Sequence, residues 1–564
     1  MDQLVIKHLS QIDVSPVLSL VTIISFIKIT RFLKQEIQVH SPNRSSADAP
    51  ARLPAHIQEF LSFSLEMNID NVQALWLSLK ELVWIDVERP LDDKEKEMFE
   101  KFGKQHKDPN KHLGSTMYYP PSFSCVQCGR NLQKMSRIEV VLFSLHGACT
   151  TYSMSLRCPC CPIRYYPQYY VDKETSRRHY YSTDIPDIIQ FEQHAYIEAH
   201  LCELMTMWML FAWVSSQNCA NIYNHGMNTN AWIASQFTLT SEQVWRAFVL
   251  NALLRHSYEF GTALSMSEAK GIDHDSRLKD AQIVRNEYMD RNGQIERLHA
   301  CDTCEKFIPT DIPGAYKGLQ HVALEDYRNL KGKSFFLLQR RLQRAGAQQP
   351  SNDSLGATSD DQDEEEMEYS DPAKKSDDGN VKVKARFGRR QTHNKQLIVC
   401  TCGVISARAT MFGAEAISGV KDFMKSVYPN LKELPDVIFY DNNCSLQSHL
   451  LAQDDDFFEN VILPVDVFHF KSKHSEADEF CQRHCNPAQW VELVGEDGKW
   501  VFNSSIAEQT NVWIGGYQAI VWDMLAHNYD FFLDEMIKRR NEILVAKLKC
   551  TGRFPYHVPP SYLL

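Results

Sequence analysis

The sequence has no surplus of positive charge: 60 Lys and Arg stand against 71 Asp and Glu, a formal charge of -11. That excludes a uniformly basic nucleic-acid binder and leaves only local patches for such a role. A long apolar run is missing too. The stretch Val14 to Ile27 (VSPVLSLVTIISFI) is too short for a membrane span and is followed at once by Lys28, Arg31 and Lys34. It predicts a buried core helix, and no membrane partner is expected. The opening MDQLVIKHLSQ has no clear basic start and no small-residue cleavage site, which argues against a secretory leader. Cysteine is sparse for a disulfide scaffold, with 16 in 564 residues. Small secreted domains stapled by disulfides are short and cysteine-dense, and this chain is neither.

What is present is enough apolar material for several cores. Hydrophobic residues make up 44% and aromatics 11%, and a chain of this length is expected to form about two to four domains. Residues 1–110 read as helical, from the spacing in HIQEFLSFSL and VQALWLSLKELVWI. Residues 111–240 form a second region. Over 112–182 Tyr, Pro, Cys and β-branched residues take over, as in RIEVVLFSL and RYYPQYYVD, and predict short strands around a metal knuckle. From Ile188 to about Tyr223 the apolar run FEQHAYIEAHLCELMTMWMLFAWV predicts a long core helix. Residues 241–345 read as a further helical region. Residues 346–384 are acidic, Ser-rich and nearly free of aliphatics, the composition of a flexible linker that cannot bury enough surface to offset its ordering entropy. From 385 to 564 the pattern is α/β. LIVCTCGVISARATMF predicts two strands, SGVKDFMKSVY a helix, PDVIFYD a buried strand ending in Asp441, and ILPVDVFHF another strand. A long helical stretch then carries Glu508.

The cysteines fall in pairs. Cys125-x2-Cys128 is followed, after strand-like sequence, by Cys158-x2-Cys161. Two such knuckles supply four thiolates, a set that suits tetrahedral, redox-silent Zn²⁺. With all four positions filled by protein the zinc is structural, supporting folding rather than catalysis. Unrelated buried cysteines are the plain alternative. Cys160 competes from inside the second knuckle, and Cys149 reads as a packing residue. Cys301-x2-Cys304 is a third pair. His469, His474, Cys481 and Cys485, spaced x4, x6 and x3, form a weaker Cys2His2 candidate. His484, Cys400, Cys402 and Cys444 are further donors that sequence alone does not assign.

The segment YYPPSFSCVQCGRNL…SLRCPCCPIRYYPQYYVDKETSRRHYY resembles the fifth cysteine-cluster (CxC) module of fungal KDZ (Kyakuja–Dileera–Zisupton) transposase-associated proteins. LHACDTCEKF resembles the opening of the sixth cluster. FGRRQTHNKQLIV, VIFYDNNCSLQSHL, LPVDVFHFKSKHSEADEFCQRHCNPA, FNSSIAEQTNVW and YDFFLDEMIKRRN resemble the downstream transposase-like part. The resemblance implies a multidomain α+β protein, a zinc ribbon-like cluster after a helical N-terminal region, then an RNase H-like α/β region. It also implies a DDE-type centre in which three carboxylates hold two divalent ions, Mg²⁺ or Mn²⁺, at a phosphodiester. Asp441 fits the second carboxylate and Glu508 the third, with Asp466 as competitor. An Asx turn for Asp441 and a plain helix-start acid for Glu508 are the alternatives. The first acid belongs on an early strand, and LIVCTCGVISARATMF contains none. The sixth cluster is truncated, because CDTCEKFIPTDIPGAYKGLQHVALEDYRNLKGK lacks the further Cys and His ligands of similar proteins. Cys301 and Cys304 are thus half a site, metal-free or completed by ligands from elsewhere.

Basic clusters at RLKD–VRNEYMDRNG, LKGKSFFLLQRRLQR, ARFGRRQTHNK and Lys538–Asn541 are read as solvated faces when taken singly. Beside a transposase-like fold, Arg386, Arg389, Arg390 and Lys395 become candidates for phosphate contact. The expected function is that of a zinc-binding, transposon-derived, DNA-directed protein, intracellular and nuclear, with an incomplete catalytic set and no small-molecule substrate. A zinc-stabilised interaction module is the first rival. An active nuclease taking its first acid from Asp302 or Asp311 is the second.

Overall fold

The computed structural model describes residues 19–41, 48–84, 91–181, 185–228, 237–304, 307–309, 320–322, 335–339, 366–369, 375–376, 379–380, 383–386, 394–411, 416–474, 477–490, 493–495, 497–503 and 505–558. They fold as two compact units, Met1–Ala281 and Gln282–Leu564.

The first unit opens with helices Leu20–Phe32, Lys34–His40, Ala55–Ser64, Ile69–Trp84 and Asp93–Phe102. The first is capped by Ser19, whose hydroxyl accepts from the Thr22 amide. The last starts in a capping box in which Asp92 and Glu95 satisfy each other's backbone N–H groups. Phe26, Ile29, Leu33, Ile57, Leu61, Leu75, Trp76 and Leu79 make one apolar core. The uncharged run near the N-terminus feeds that core through Phe26 and Ile27. No helix among the described residues is long and apolar enough to cross a membrane.

A nine-stranded sheet follows. Its strands are β1 (Met117–Tyr118), β2 (Gln133–Ser144), β3 (Gly147–Arg157), β4 (Ile163–Tyr165), β5 (Tyr169–Asp172), β6 (Arg177–Tyr180), β7 (Ile188–Glu192), β8 (Ala195–Glu198) and β9 (Ser265–Ser267). The order is β7-β8-β2-β3-β4-β5-β6-β9, with β1 beside β3. The β2–β3 hairpin is longer than the short strands expected. The apolar run after Ile188 is also not one helix. It begins as the β7–β8 hairpin and becomes helical only at Ala199–Ala212. In QFEQHAYIE the pairing of β8 with β2 decides the conformation, because short apolar runs carry no distinguishing period.

A buried glutamate ties the helices to the sheet. Glu36 is fully buried, with His40 Nε2 at 2.9 Å, His56 Nε2 at 3.3 Å and the Tyr119 hydroxyl donating at 2.6 Å. Arg137 of β2 closes an ion pair on the same carboxylate.

In the second unit β10 (His299–Ala300) pairs with β21 (Tyr556–His557), and β11 (Phe307–Pro309) with β12 (Gln320–Val322). Within the expected acidic linker only β14 (Glu366–Tyr369), β15 (Lys375–Ser376), β16 (Gly379–Asn380) and the start of β17 (Val383–Arg386) are described; β14 pairs with β17 and β15 with β16. The rest of that stretch lies outside the described residues.

The main sheet of this unit contains β13 (Phe335–Gln339), β18 (Asn394–Cys400), β19 (Ile405–Met411) and β20 (Val437–Phe439), in the order β19-β18-β13-β20. β13 runs antiparallel to β18 and parallel to β20, and a parallel bridge from Val437 to Ile462 continues beyond β20. Helix Ile417–Val427 connects β19 to β20, packing Val420, Phe423 and Met424 into the core. The expected strand ILPVDVFHF is not one. Only Ile462 bridges, and Asp466 caps a helix over Val467–Lys473 by accepting from the Phe468 and His469 amides.

Candidate metal centres

The first unit brings the four predicted thiols together. The sulfurs of Cys125, Cys128, Cys158 and Cys161 all lie within 4.8 Å of one another. The local chain explains why. The Gly129 amide bonds back to the Cys125 carbonyl at 2.9 Å, and Gly129 takes φ +69°, a turn that a side chain would strain. In the second knuckle the Cys160 and Cys161 amides point at Cys158 Sγ, at 3.4 and 3.2 Å. Cys128 Sγ and Cys158 Sγ are 3.5 Å apart. Thiolates about 2.3 Å from a tetrahedral zinc lie about 3.7 Å from each other, so the set fits that ion.

The thiols respond to this crowding in opposite directions. Burial raises Cys125, but the Tyr165 hydroxyl, 3.2 Å from its sulfur, and nearby amides outweigh it and bring the thiol to about 6. Cys161 is pushed up to about 12, first by its hydrogen bond with Cys128. Cys160 stands outside the cluster, is exposed and receives Arg130 Nη1 at 2.6 Å. Cys149 packs beside Val140, Leu142 and Tyr196, as expected of a packing residue.

In the second unit Asp441, Asp466 and His469 gather, with ligand atoms within 4.8 Å of one another. His469 Nδ1 is 3.1 Å from Asp441 Oδ1 and 3.2 Å from Asp466 Oδ2, while Nε2 is 3.5 Å from Glu508 Oε1. Asp441 follows β20, Asp466 and His469 share the first turn of one helix, and Glu508 lies in the first turn of helix Ile506–Gly515. Asp441, Asp466 and His469 are buried, and Glu508 is half-exposed. Asp466 Oδ1 is buried without a hydrogen-bond partner.

The expected Cys2His2 set does not converge. His469 faces the acids. His474 joins Cys444 and Cys481 instead, its Nδ1 3.6 and 3.1 Å from their sulfurs. His474 caps the C-terminal end of the helix Val467–Lys473 with extended backbone, and it falls in a separate group from His469, which stands in the first turn beside the acids. The Cys444 and Cys481 sulfurs are bonded to each other, and Cys485 Sγ meets Gln447 Oε1 at 3.3 Å. Cys301 and Cys304 are buried and lie within 4.8 Å of His299 and Cys402, two donors that sequence reasoning did not join to them. The spacing His299-x-Cys301 was the available signal.

Two basic candidates change meaning. Lys395 is 1% exposed, and its ammonium sits 3.6 Å from the centre of the Tyr529 ring. Burial pushes it well below the usual lysine range, so it is withheld from phosphates. Lys538, Arg539 and Asn541 are likewise buried, not a solvated face, with Arg539 held by Glu535 at 2.8 Å. Of Arg386 only the strand position is described, and Arg389, Arg390 and Asp311 lie outside the described residues. Asp302 is held near Arg553, at 3.7 Å.

No curated protein and no solved structure matches this chain. The four-thiol module lies within a match to one family model. Residues 113–227 match the CxC5-like cysteine cluster associated with KDZ transposases.

Proposed function

We propose that this chain is a zinc-organised, transposon-derived protein that binds DNA in the nucleus and has lost one acid of its catalytic set. The carrying observation is the gathering of Asp441, Asp466 and His469 with Glu508 at its edge. Carboxylate oxygens converging from separate elements are what a hard divalent cation requires. The strand order supports an RNase H-like reading of the second unit. An antiparallel run β13–β18–β19 is followed by a helix and then by a strand parallel to β13.

The early-strand sequence LIVCTCGVISARATMF carries no Asp or Glu, so a two-ion centre there would lack one charged ligand. Arg386, Arg389 and Arg390 remain the phosphate-contact candidates.

A second reading, an active nuclease with Asp466 as the remaining acid, is favoured by the bare Oδ1 of that residue. Purified full-length protein separates the two. The proposal expects duplex DNA to be retarded at low salt, with binding falling steeply as salt rises. It expects no nicking with Mg²⁺ or Mn²⁺. Asp441→Asn should weaken Mn²⁺ binding by removing charge from the site, read by the paramagnetic resonance of free Mn²⁺. Nicking by the parent protein that Asp441→Ala abolishes would establish the nuclease instead. Absence of DNA retardation at low salt would end the DNA-directed reading.

A further inference from the structure

The pair Cys301 and Cys304 finds its missing partners within its own unit. His299 and Cys301 flank the end of β10, and Cys304 closes the turn with its amide on the Cys301 carbonyl at 2.9 Å. Facing them is the tight turn between β18 and β19, where the Gly403 amide bonds to the Cys400 carbonyl at 2.8 Å. Gly403 takes φ +92°, and an added Cβ would lie 3.1 Å from Ile506 Cδ1, so the turn is built for glycine. It directs Cys402 at the pair. The two turns also touch through Thr401, whose hydroxyl donates to the Thr303 carbonyl at 3.2 Å.

The spacings are those of a metal centre. Cys301 Sγ and Cys304 Sγ are 3.6 Å apart, and Cys402 Sγ is 3.4 Å from His299 Nε2. Around a tetrahedral zinc, sulfurs stand about 3.7 Å apart and a sulfur and an imidazole nitrogen about 3.5 Å. A second feature points to a ligand. His299 Nδ1 lies 3.0 Å from Glu296 Oε2, which also meets His557 Nε2 at 2.9 Å. A carboxylate only accepts, so Nδ1 donates to Glu296, and in the neutral imidazole Nε2 then carries the lone pair on the side of Cys402 Sγ. A carboxylate behind a histidine in this way is how proteins orient a metal-bound imidazole.

We propose that His299, Cys301, Cys304 and Cys402 form a closed Cys3His zinc site that fastens the 299–304 turn to the β18–β19 turn. The ligands His299 and Cys402 are separated by 103 positions in sequence. Clamping the two ends of so long an excursion removes a large closure entropy from the unfolded chain. The acidic stretch 346–384 lies inside that excursion in sequence. Cys400, whose sulfur is 3.1 Å from the Ser406 hydroxyl, is outside the ligand set.

The test counts zinc per full-length chain by native mass spectrometry and follows Co²⁺-loaded protein by its visible absorption. Cys402→Ser should lower the count by one, and Cys400→Ser should leave it unchanged. Glu296→Gln should keep the ion but release it to chelator about 10- to 100-fold more readily. His299→Cys should keep the count while the Co²⁺ bands shift to longer wavelength as sulfur replaces nitrogen. This last variant decides the matter if Cys402→Ser fails to fold. A full count in soluble Cys402→Ser, a lost ion in Cys400→Ser, or unshifted bands in His299→Cys would overturn the site. The Cys125 cluster shares no ligand with it, so its own occupancy is scored separately by Cys158→Ser.

Discussion

Stripping the metal with a tight chelator should melt the sheet around Cys125, Cys128, Cys158 and Cys161 while leaving most helical signal in place. Structural zinc contributes roughly 10–16 kcal/mol at neutral pH in small zinc modules, whereas a whole domain is stable by only about 5–15 kcal/mol. The apolar cluster around these thiols is small. Leu132, Met154, Leu156, Ile163 and Tyr165 surround Cys125 and Cys158. Without the ion, four sulfurs drawn together repel as soon as more than one ionises. The chelated protein should therefore lose its near-ultraviolet tyrosine signal and expose β2–β3 amides to hydrogen exchange. Re-addition of Zn²⁺ should restore both. Cys158→Ser should mimic chelation, and Cys160→Ser should not. Unchanged exchange in chelated, verified metal-free protein would contradict the folding role of the cluster.

The second large effect is expected at Glu36. Its carboxylate is surrounded by His40, His56, Tyr119, Arg137 and Lys134. Burial pushes this acid up, but the bonds from His40 and His56 and the charge of Arg137 outweigh it and hold it well below the usual carboxylate range. Glu36→Gln removes the charge and strands Arg137, which is also buried. Breaking a buried pair by deleting one partner costs about 3–5 kcal/mol. For a unit of this size that lowers the melting temperature by about 10 °C. A shift within the error of the measurement would show that Arg137 finds another partner.

The same cluster sets the acid limit of the first unit. Glu36 has a folded pKa below its unfolded one, so its contribution is complete above about 4.5 and is lost as pH falls further. Burial also holds His56 below its ordinary 6.5, so protonating it favours the unfolded chain and stability declines as pH drops below that value. Both act in one direction. Melting temperature should fall gently from pH 6.5 and steeply below pH 4.5, and the steep part should vanish in Glu36→Gln.

How much of this was legible in the sequence depended on whether the cause was local. CxxC spacing fixes a knuckle by itself, so the four thiols of the first cluster could be named from residues alone. Helix Ile417–Val427 and strands β18, β19 and β20 followed from period and β-branched content. Where tertiary pairing decides, local reading failed. QFEQHAYIE becomes a hairpin because β2 offers it an edge. DVFHF becomes a helix because Asp466 caps it. That single cap also turns His469 toward the acids, so a residue assigned to a thiol site belongs to the carboxylate centre. Lys395 and Lys538–Asn541 were read as solvated because charge is usually exposed, yet Asp530, Asp534 and Glu535 neutralise such groups inside the second unit. Glu36 carried no motif, and its partners come from 4 to 101 positions away. Cys402 was likewise invisible as a partner of His299, 103 positions away, whereas His299 beside Cys301 could have been read from spacing.

The central claim is that four cysteines of the matched module hold one structural zinc. X-ray absorption at the zinc edge on a His299→Ala protein, which leaves the first cluster as the remaining full ligand set, tests it most directly. The account predicts four sulfur neighbours at about 2.3 Å. A shell dominated by nitrogen and oxygen, or a protein that purifies without zinc, would contradict it.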